Sequence, residues 1–276
     1  MPLESQYSAQ VSAMALDGLA PAQVTGLQFT VEQGKVNLSW DPVTTTALFT
    51  DQFTGDGANT SFQLTYLDVA AGYYTVQVDG VLQTEGTDYT MDLVNGVITF
   101  TTAPADQANI EVAYRQNLKD LAGYRIFRKR PSEGAFTVIG TVASTVDSQT
   151  TVFSDTTALD GCTYDYAVAA IDDEETPNEG QKSATIQVKT VPSVPQGLTA
   201  TAYDKKIVLR WQSVKDPENP DLNENLAGYN IYRSETDGTG YVKIGMVADT
   251  ETEFEDTTVE NGRTYYYVIT AFDNSL

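Results

Sequence analysis

The sequence contains no histidine, one cysteine and few basic residues, and each shortage excludes a class of function. Its 276 residues include 16 Lys and Arg against 38 Asp and Glu, a formal net charge of −22. Without histidine, a Ser-His-Asp triad, a Cys-His dyad and a His-ligated zinc site are excluded. An acidic surface repels nucleic acid and anionic membranes, because both are bound by basic residues that neutralise phosphate. We therefore expect neither a nucleic-acid partner nor a membrane partner.

Cys162 is the single cysteine, so no disulfide can form within the chain. We expect an inert thiol, because no histidine is present to activate it.

No stretch reaches the roughly 20 apolar residues that a membrane-spanning helix needs. Residues 1–20 lack the basic start and the continuous apolar run of a secretory signal peptide. We expect these residues to form an N-terminal arm or docking peptide.

The residues that are abundant favour β-strands. Aromatic residues make up 10% of the chain, with 16 Tyr and only 2 Trp, and blocks of helix-favouring residues are absent. Apolar and polar residues alternate in VTGLQFTVEQGKVNLSW around Gln33-Gly34, and again in PQGLTATAYDKKIVLRW around Asp204-Lys205. Each pattern predicts two strands joined by a tight turn.

A long internal repeat indicates two related domains. LAGYRIFRK at 121–129 recurs as LAGYNIYRS at 226–234, and VFSDTTALDGCTYDYAVAAID recurs as EFEDTTVENGRTYYYVITAFD. Each copy supplies short strands with turn signals between them, a pattern typical of an all-β sandwich. A repeat of this length predicts tandem domains rather than a solenoid of short units.

These motifs resemble the fibronectin type III domain, particularly its bacterial and phage variety. The resemblance rests on a Trp that ends the second strand, the G-Y-x-I-[FY]-R run in the third strand, and the Tyr-rich run that follows Asp-Thr-Thr. It implies that the following residues form the structural core, the last two as tyrosine corners: Trp40, Trp211, Tyr124, Tyr229, Tyr164 and Tyr265.

The first copy contains extra sequence between its second and third strands. Trp40 lies 81 residues before Leu121, whereas Trp211 lies 15 residues before Leu226, a difference of 66 residues. A structureless loop of that length is improbable in a compact domain. The dipeptides Asp79-Gly80 and Asn95-Gly96 suit type I′ turns and predict two β-hairpins. We expect a small sandwich or barrel of five to seven short strands over residues 46–116.

The extra segment also resembles a known module. The runs GDGANTSFQLTY, VQVDGVLQ, NGVITFTTAP and IEVAYR are similar to a β module that recurs in tailed-bacteriophage virion proteins, including tail fibres, neck or collar proteins and head appendages. The resemblances imply an all-β fold of two fibronectin type III, or Ig-like, sandwiches with a small β-domain inserted in the B–C loop of the first.

The resulting domain prediction has four parts. They are an arm at 1–20, a discontinuous type III domain at 21–45 plus 117–191, an inserted β-domain at 46–116, and a second type III domain at 192–276. By analogy with the first copy, we expect the sequence of the second copy to lack strand G. Three explanations stay open: a longer natural chain, a strand donated by another chain, or an incomplete domain.

Acidic residues give weak candidates for cation binding. Four of them crowd the loop KDPENPDLNEN, where oxygen ligands are dense enough for Ca²⁺ but fit no EF-hand spacing: Asp216, Glu218, Asp221 and Glu224. Asp51, Asp56 and Gly57 are a second candidate, for which a turn is the alternative. The run 172–175 (DDEE) is expected to be a solvated loop.

Two further groups are interpreted as structural. Asn261-Gly262-Arg263 is expected to make a turn. The main basic cluster lies on alternating strand positions and is interpreted as a stripe of charge that protects a sheet edge: Arg125, Arg128, Lys129 and Arg130.

The leading functional prediction is a non-enzymatic structural protein of a phage virion that acts as a spacer, docking or adhesion appendage and needs no cofactor. Expected partners are other virion proteins, bound through the N-terminal arm and β edges, a second copy of the chain in a homo-oligomer, and a host-surface glycan. The alternative is an extracellular bacterial accessory module of a secreted glycanase or adhesin. A carboxylate-pair glycosidase stays formally open.

Overall fold

The computed structural model describes residues 19–174, 176–215 and 226–273, which contain strands, turns and loops but no helix. The predicted all-β fold is confirmed: the strands form antiparallel sheets that enclose three apolar cores in the manner of fibronectin-like sandwiches. Residues 1–18 of the predicted arm, Glu175, and the candidate cation residues Asp216, Glu218, Asp221 and Glu224 lie outside the described residues.

The first sandwich begins with a hairpin. Strands β1 (Gln28–Glu32) and β2 (Lys35–Ser39) pair around the predicted Gln33-Gly34 turn, where Gly34 has a φ of 68°. Val36 and Leu38 point inward and are buried, whereas alternate residues of β2 are more exposed. The period-two pattern therefore reports the buried face directly.

A separate set of strands follows, which we call the central unit. Its strands are β3 (Phe49–Thr54), β4 (Ser61–Gln63), β5 (Val69–Val78), β6 (Val81–Leu82), β7 (Tyr89–Asp92), β8 (Val97–Phe100) and β9 (Asn109–Gln116). They form one sheet in the order β3-β9-β5-β6 and another in the order β4-β8-β7. The two sheets enclose a core built around Ile98, Ile110 and Tyr114, all fully buried. The central unit is therefore a sandwich and not a closed barrel.

The chain then returns to complete the first sandwich. The strands are β10 (Leu121–Lys129), β11 (Thr137–Ala143), β12 (Val152–Asp155), β13 (Thr163–Asp172) and β14 (Ile186–Lys189). The sheets are ordered β1-β2-β12 and β11-β10-β13-β14. Leu38 and Trp40, which precede the central unit, share a core with Ile126 and Tyr166, which follow it. Strands distant in sequence thus form one sandwich.

The second sandwich repeats this topology. Its strands are β15 (Thr199–Tyr203), β16 (Lys206–Arg210), β17 (Gly228–Ser234), β18 (Val242–Ala248), β19 (Glu253–Asp256) and β20 (Tyr266–Phe272). The sheets are ordered β15-β16-β19 and β18-β17-β20 within the described residues. The register shift after Ile231 in β17 matches the shift after Ile126 in β10. The sequence repeat is thus also a repeat of strand pairing.

The aromatic residues expected in the core occupy equivalent places in the two sandwiches. Trp40 and Tyr124 meet edge to face with ring centroids 5.3 Å apart, and Trp211 and Tyr229 do so at 5.4 Å. Such a geometry is favourable for aromatic pairs. All four side chains are buried.

The two tyrosine corners differ in their surroundings. The Tyr164 hydroxyl accepts a hydrogen bond from the Leu159 backbone N–H at 3.0 Å, and the Tyr265 hydroxyl accepts one from Glu260 at the same distance. Tyr164 is buried, but Tyr265, expected in the core, is half-buried. One reason is that β14 pairs with β13 across Tyr164, at Val188.

The expected type I′ turn at Asn95-Gly96 is wrong, although the hairpin itself is present. Asp79 and Gly80 both have positive φ, at 51° and 76°, as that turn requires. At the other hairpin β7 ends at Asp92 and β8 begins at Val97, so four residues form the loop, and Gly96 alone among them has positive φ. The Asp92 carboxylate holds this longer loop by accepting from the backbone N–H and side-chain amide of Asn95.

Candidate functional site at the base of the central unit

The central unit joins the first sandwich through a short stem of two chain segments, 43–48 and 116–118. The Thr46 N–H donates to the Gln116 carbonyl at 3.1 Å, and the Gln116 N–H donates to the Thr46 hydroxyl at 3.0 Å. The Arg115 guanidinium donates to the Thr46 carbonyl at 2.8 Å. The entering and leaving segments are therefore hydrogen-bonded to each other.

The stem is fixed to the first sandwich by a buried polar network. The Val43 N–H donates to the Tyr124 hydroxyl at 3.0 Å and to the Gln149 side-chain carbonyl at 3.1 Å. The Gln149 side-chain amide donates back to the Val43 carbonyl at 2.9 Å, and the Tyr124 hydroxyl also contacts Gln149. Burial raises the pKa of Tyr124, so its hydroxyl stays protonated. This network orients the start of the stem.

A third segment of chain runs alongside the stem. The Ala22 N–H donates to the Thr45 carbonyl at 2.8 Å, and the Ala47 N–H donates to the Ala20 carbonyl at 2.9 Å. Next to it is a cavity of about 320 Å³ with these lining residues: Leu19, Thr46, Tyr66, Gln116, Asn117, Lys119 and Asp120. Leu19 and Ala20, the last two residues of the predicted arm, therefore lie beside the stem, and Leu19 lines this cavity.

Exposed apolar side chains lie at the same end of the central unit. Leu48, Leu67 and Val94 are 57%, 51% and 71% exposed. Leu67 is connected to the stem because the Gln116 side-chain amide donates to the Leu67 carbonyl. The next residue, Asp68, donates its backbone N–H to the Val94 carbonyl. We call these three residues and the cavity the basal surface. Exposed apolar side chains beside a cavity are a feature of interaction sites.

Asp51, a sequence candidate for cation binding, has a structural role. Its carboxylate accepts from the Thr65 backbone N–H at 2.6 Å, the Thr65 hydroxyl at 3.0 Å and the Tyr114 hydroxyl at 2.9 Å. Burial raises the pKa of Tyr114 far above its ordinary value, and the adjacent Asp51 carboxylate adds to this effect. The group therefore connects β3 and β9 to the segment after β4.

Asp56 and Gly57 form a turn, the alternative that the sequence left open. The Asp56 carboxylate accepts from the backbone N–H groups of Asn59 and Ala58 at 2.6 and 2.8 Å. These hydrogen bonds, the one from Asn59 foremost, lower the pKa of Asp56. Gly57 has a φ of 74°, which suits glycine.

The interpretation of the basic cluster as an edge stripe is wrong. Strand β10 lies inside its sheet, paired with β11 on one side and β13 on the other. The cations of the cluster face acidic or aromatic partners: Arg125 with Glu179 at 3.0 Å, Arg128 with Asp155 at 2.6 Å, Lys129 with Asp165 at 3.5 Å, and Arg130, just after β10, over the Tyr164 ring at 4.8 Å. The charged side chains of the cluster are therefore engaged by partners within the first sandwich, and they leave no free basic surface there.

The acidic run 172–175 is also not simply solvated. Asp172 is fully buried, and its carboxylate accepts from the Asn178 backbone N–H and side-chain amide, both at 2.7 Å. Asp173 is exposed and Glu174 is half-buried. One residue of the run thus closes the loop after β13, a role that its acidic neighbours conceal in the sequence.

Sequence reasoning missed a buried polar network that occurs in both sandwiches. Asp155 accepts from the Tyr166 hydroxyl at 2.7 Å, from the Thr157 hydroxyl at 2.7 Å and from Arg128. Asp256 accepts from Tyr267, Thr258 and Arg233 in the same way. The signal was present, since the Asp, the Thr two residues later, the Tyr and the Arg recur at equivalent places in both copies.

The described residues contain no grouping of side chains typical of a metal centre. Across 19–174, 176–215 and 226–273, no three His, Cys, Asp or Glu side chains are grouped as a metal site would require. Within the same residues, no helix is long and apolar enough to cross a membrane. Asn261, Gly262 and Arg263 lie in a turn, as expected.

Comparison with known families gives a match at the central unit. Residues 43–120 match the family described as phage T7 tail fibre protein, N-terminal domain. The matched range begins at Val43, where the stem starts, and ends at Asp120, immediately before β10. It therefore covers the stem, the central unit and most of the basal surface.

Curated relatives also match parts of the chain. An amylopullulanase of Thermoanaerobacterium saccharolyticum is 30% identical over 183 residues, which cover 60% of this chain and 13% of that enzyme. An uncharacterized protein of Methanocaldococcus jannaschii is 49% identical over 67 residues, which cover 23% of this chain and 29% of that protein. An amylopullulanase of Thermoanaerobacterium thermosulfurigenes is 38% identical over 84 residues, covering 30% of this chain and 4% of that enzyme. The chain thus spans less than a third of each relative.

A solved structure of chicken CNTN1 FN1-FN3 domains aligns with 92% of this chain and 94% of its own, at 12% identity. The TM-score of 0.28 is too low to inform the arrangement of domains. The fold is instead described by the strand pairings given above.

Proposed function

We propose that the protein is a non-enzymatic structural component of a bacteriophage virion, as a tail fibre, neck or collar, or head-associated appendage. The observation that carries the proposal is the match of residues 43–120 to the phage T7 tail fibre N-terminal domain family. The matched range has its own core and its own stem, which supports its treatment as one structural module. The localisation that follows is the extracellular phage particle.

The work of such a component is docking and spacing. Docking to other virion proteins would use the basal surface, where Leu48, Leu67 and Val94 are exposed and where residues 20–22 join the stem. The free strand edges are additional contacts for other virion proteins or for a second copy of the chain. Three predicted domains in one chain suit a spacer. An ion pair between Lys189 of β14, in the first sandwich, and Asp273 of the second sandwich, at 2.6 Å, links two of them.

The absence of catalytic function is part of the proposal. The carboxylates Asp51, Asp155 and Asp256 are engaged by hydroxyl and backbone donors that hold the fold together. A glycosidase needs one carboxylic acid and one carboxylate facing each other across a cleft. These three carboxylates instead accept hydrogen bonds within the fold.

The proposal is tested by immunogold electron microscopy of tailed particles from the native source, with an antibody against the second sandwich. We expect gold at one defined place on the particle, which would also identify the appendage. An antibody preabsorbed with the purified chain is the control. Unlabelled particles from a lysate that contains the polypeptide would contradict the proposal.

A second candidate function rests on a separate observation. The amylopullulanase matches favour an accessory module of a secreted glycanase, or of an adhesin, with glycan as the partner. Such a module should bind granular starch in a sedimentation assay, and pullulan in affinity gel electrophoresis, without hydrolysing either. Retention on these polymers together with unlabelled phage particles would favour this candidate. A virion appendage that adheres to a host-surface glycan would show both glycan binding and particle labelling.

A further inference from the structure

In each sandwich, the first hairpin turn contacts the turn that precedes the tyrosine corner. In the first sandwich the Asp160 carboxylate accepts from the Gly34 N–H at 2.8 Å and from the Gln33 side-chain amide. In the second sandwich the equivalent residue is Asn261. Its carbonyl oxygen accepts from the Lys205 N–H at 2.9 Å.

The second pair reverses one donor and one acceptor. The Asn261 side-chain nitrogen donates to the Asp204 carboxylate at 2.6 Å. In the first sandwich the amide is on the hairpin turn, at Gln33, and the carboxylate is at Asp160. An amide at position 261 accepts and donates at once, whereas a carboxylate there would only accept. The contact therefore depends on residue 261 being an amide.

We propose that Asn261 is a site of spontaneous deamidation that weakens the second sandwich with age. The backbone nitrogen of Gly262 attacks the side-chain carbonyl carbon of Asn261. The new carbon–nitrogen bond closes a succinimide ring, the bond to the side-chain nitrogen breaks, and ammonia leaves with the proton lost by the attacking nitrogen. Water then opens the ring at either carbonyl to give aspartate or isoaspartate, and no oxidant or reductant takes part.

The surroundings of Gly262 favour this reaction. Asn261 and Gly262 are both exposed, and a Cβ added to Gly262 would meet no atom within 4 Å. The chain can therefore rearrange locally to bring the Gly262 nitrogen to the side-chain carbonyl. Glycine also allows the widest range of backbone angles for this approach.

The other Asn-Gly dipeptide of the sequence is an internal control. Gly96 is buried, and a Cβ added there would lie 2.7 Å from the Tyr66 carbonyl. The Gln63 side-chain amide donates to the Asn95 carbonyl at 2.7 Å, and the Leu64 N–H donates to the Gly96 carbonyl at 2.8 Å. Asn95 is thus held on both sides of the peptide that would have to move.

Conversion of Asn261 to a carboxylate has a defined structural effect. The donor to Asp204 is lost, and two negative charges face each other where a hydrogen bond was. Like charges in contact repel, and added salt screens the repulsion because the site is exposed. The two turns, one between β15 and β16 and the other before β20, should then separate.

The experiment ages the purified full chain in mildly alkaline buffer and follows both dipeptides by peptide mass spectrometry. We expect Asn261 to convert several-fold faster than Asn95. In calorimetry, N261D should lower a thermal transition by an amount on the order of 2–6 °C at low ionic strength. The double variant D204Q/N261D should restore the transition, because it rebuilds the Gln33–Asp160 arrangement of the first sandwich.

Two results would overturn the proposal. One is conversion of Asn95 at least as fast as Asn261, or no conversion at either site. The other is an N261D variant with an unchanged thermal transition. Both measurements use the isolated chain, so they are independent of whether the protein belongs to a virion.

Discussion

Asp155 and Asp256 occupy equivalent places in the two sandwiches and accept equivalent hydrogen bonds. Both are almost fully buried, at 2% and 3% exposed, and each receives hydroxyl, backbone and guanidinium donors. Burial alone would raise the pKa of each carboxyl, but the hydrogen bonds, those from Thr157 and Thr258 foremost, lower the pKa overall. A fully satisfied buried network stabilises a fold, and a broken one is costly.

These lowered pKa values predict acid sensitivity. Because each folded-state pKa lies below the unfolded value of about 3.9, the stabilisation is complete above that pH and is lost as the pH falls through the folded-state pKa. The variant D256N should be less stable at neutral pH by about 1–3 kcal/mol and should lose less stability on acidification. Urea unfolding at neutral and acid pH measures both effects. The exposed carboxylate of Asp237, in the same sandwich, gives a matched control in D237N. An acid dependence of D256N equal to that of the unsubstituted chain would contradict the assignment.

The two tyrosine corners should differ in energetic weight. Tyr164→Phe leaves the Leu159 N–H without its acceptor beside a buried ring, at a cost of about 1–3 kcal/mol. Tyr265→Phe should cost less, because water reaches the half-buried position and replaces the lost acceptor. Free energies of unfolding of the two variants provide the comparison. A larger cost at Tyr265 would show that exposure does not set the strength of the corner.

At the scale of elements, the repeated LAGY sequence has its glycine for a steric reason. A Cβ on Gly123 would lie 2.2 Å from the Val142 carbonyl oxygen, and a Cβ on Gly228 would lie 2.1 Å from that of Val247. Gly123 and Gly228 each pair with the last alanine of the neighbouring strand. Only glycine therefore allows β10 and β17 to approach β11 and β18 this closely.

This close approach predicts a matched pair of destabilising variants. Gly123→Ala and Gly228→Ala should each cost about 1–3 kcal/mol, as overpacking does, by pushing the two strands apart. Gly134, where an added Cβ meets no atom within 4 Å, supplies the control variant G134A. Thermal melting of the three proteins tests the prediction. Equal melting temperatures for G123A and G134A would mean that the strands relax without cost.

The sequence predicted which segments form strands better than it predicted which strands lie next to each other in a sheet. Alternation indicated the strands and tight turns because a half-buried strand shows its two faces every second residue. It did not place β10 inside a sheet, because the partners of Arg125 and Lys129 are 54 and 36 residues away in Glu179 and Asp165. The loop at Asn95-Gly96 was misjudged because the carboxylate of Asp92, outside the dipeptide, decides its length.

The candidate site was less accessible to sequence reasoning than the fold. The stem includes a backbone hydrogen bond between Thr46 and Gln116, which carries no residue-specific signal. The network at Val43 joins residues 81 and 106 positions apart. Hydrogen bonds over such separations follow from the folded topology and cannot be read from local patterns.

At the scale of the whole molecule, the stem predicts that the central unit can be removed. The ends of the excised segment already meet, since the Thr46 N–H donates to the Gln116 carbonyl at 3.1 Å. Replacing residues 47–115 with a short Gly-Ser turn should leave a chain that melts cooperatively, because a shorter loop costs less closure entropy. Residues 43–120 expressed alone should also fold. Calorimetry and near-ultraviolet circular dichroism test both, and failure of the shortened chain to fold would contradict the predicted domain division.

We propose that this chain is a structural part of a phage particle. The most direct test is a density gradient of the native lysate, with the polypeptide followed by mass spectrometry in every fraction. For a virion component, we expect the peptides to peak in the band of tailed particles and to remain there after a salt wash. Peptides confined to the soluble fractions at the top of the gradient would contradict the claim and favour a secreted glycan-binding module.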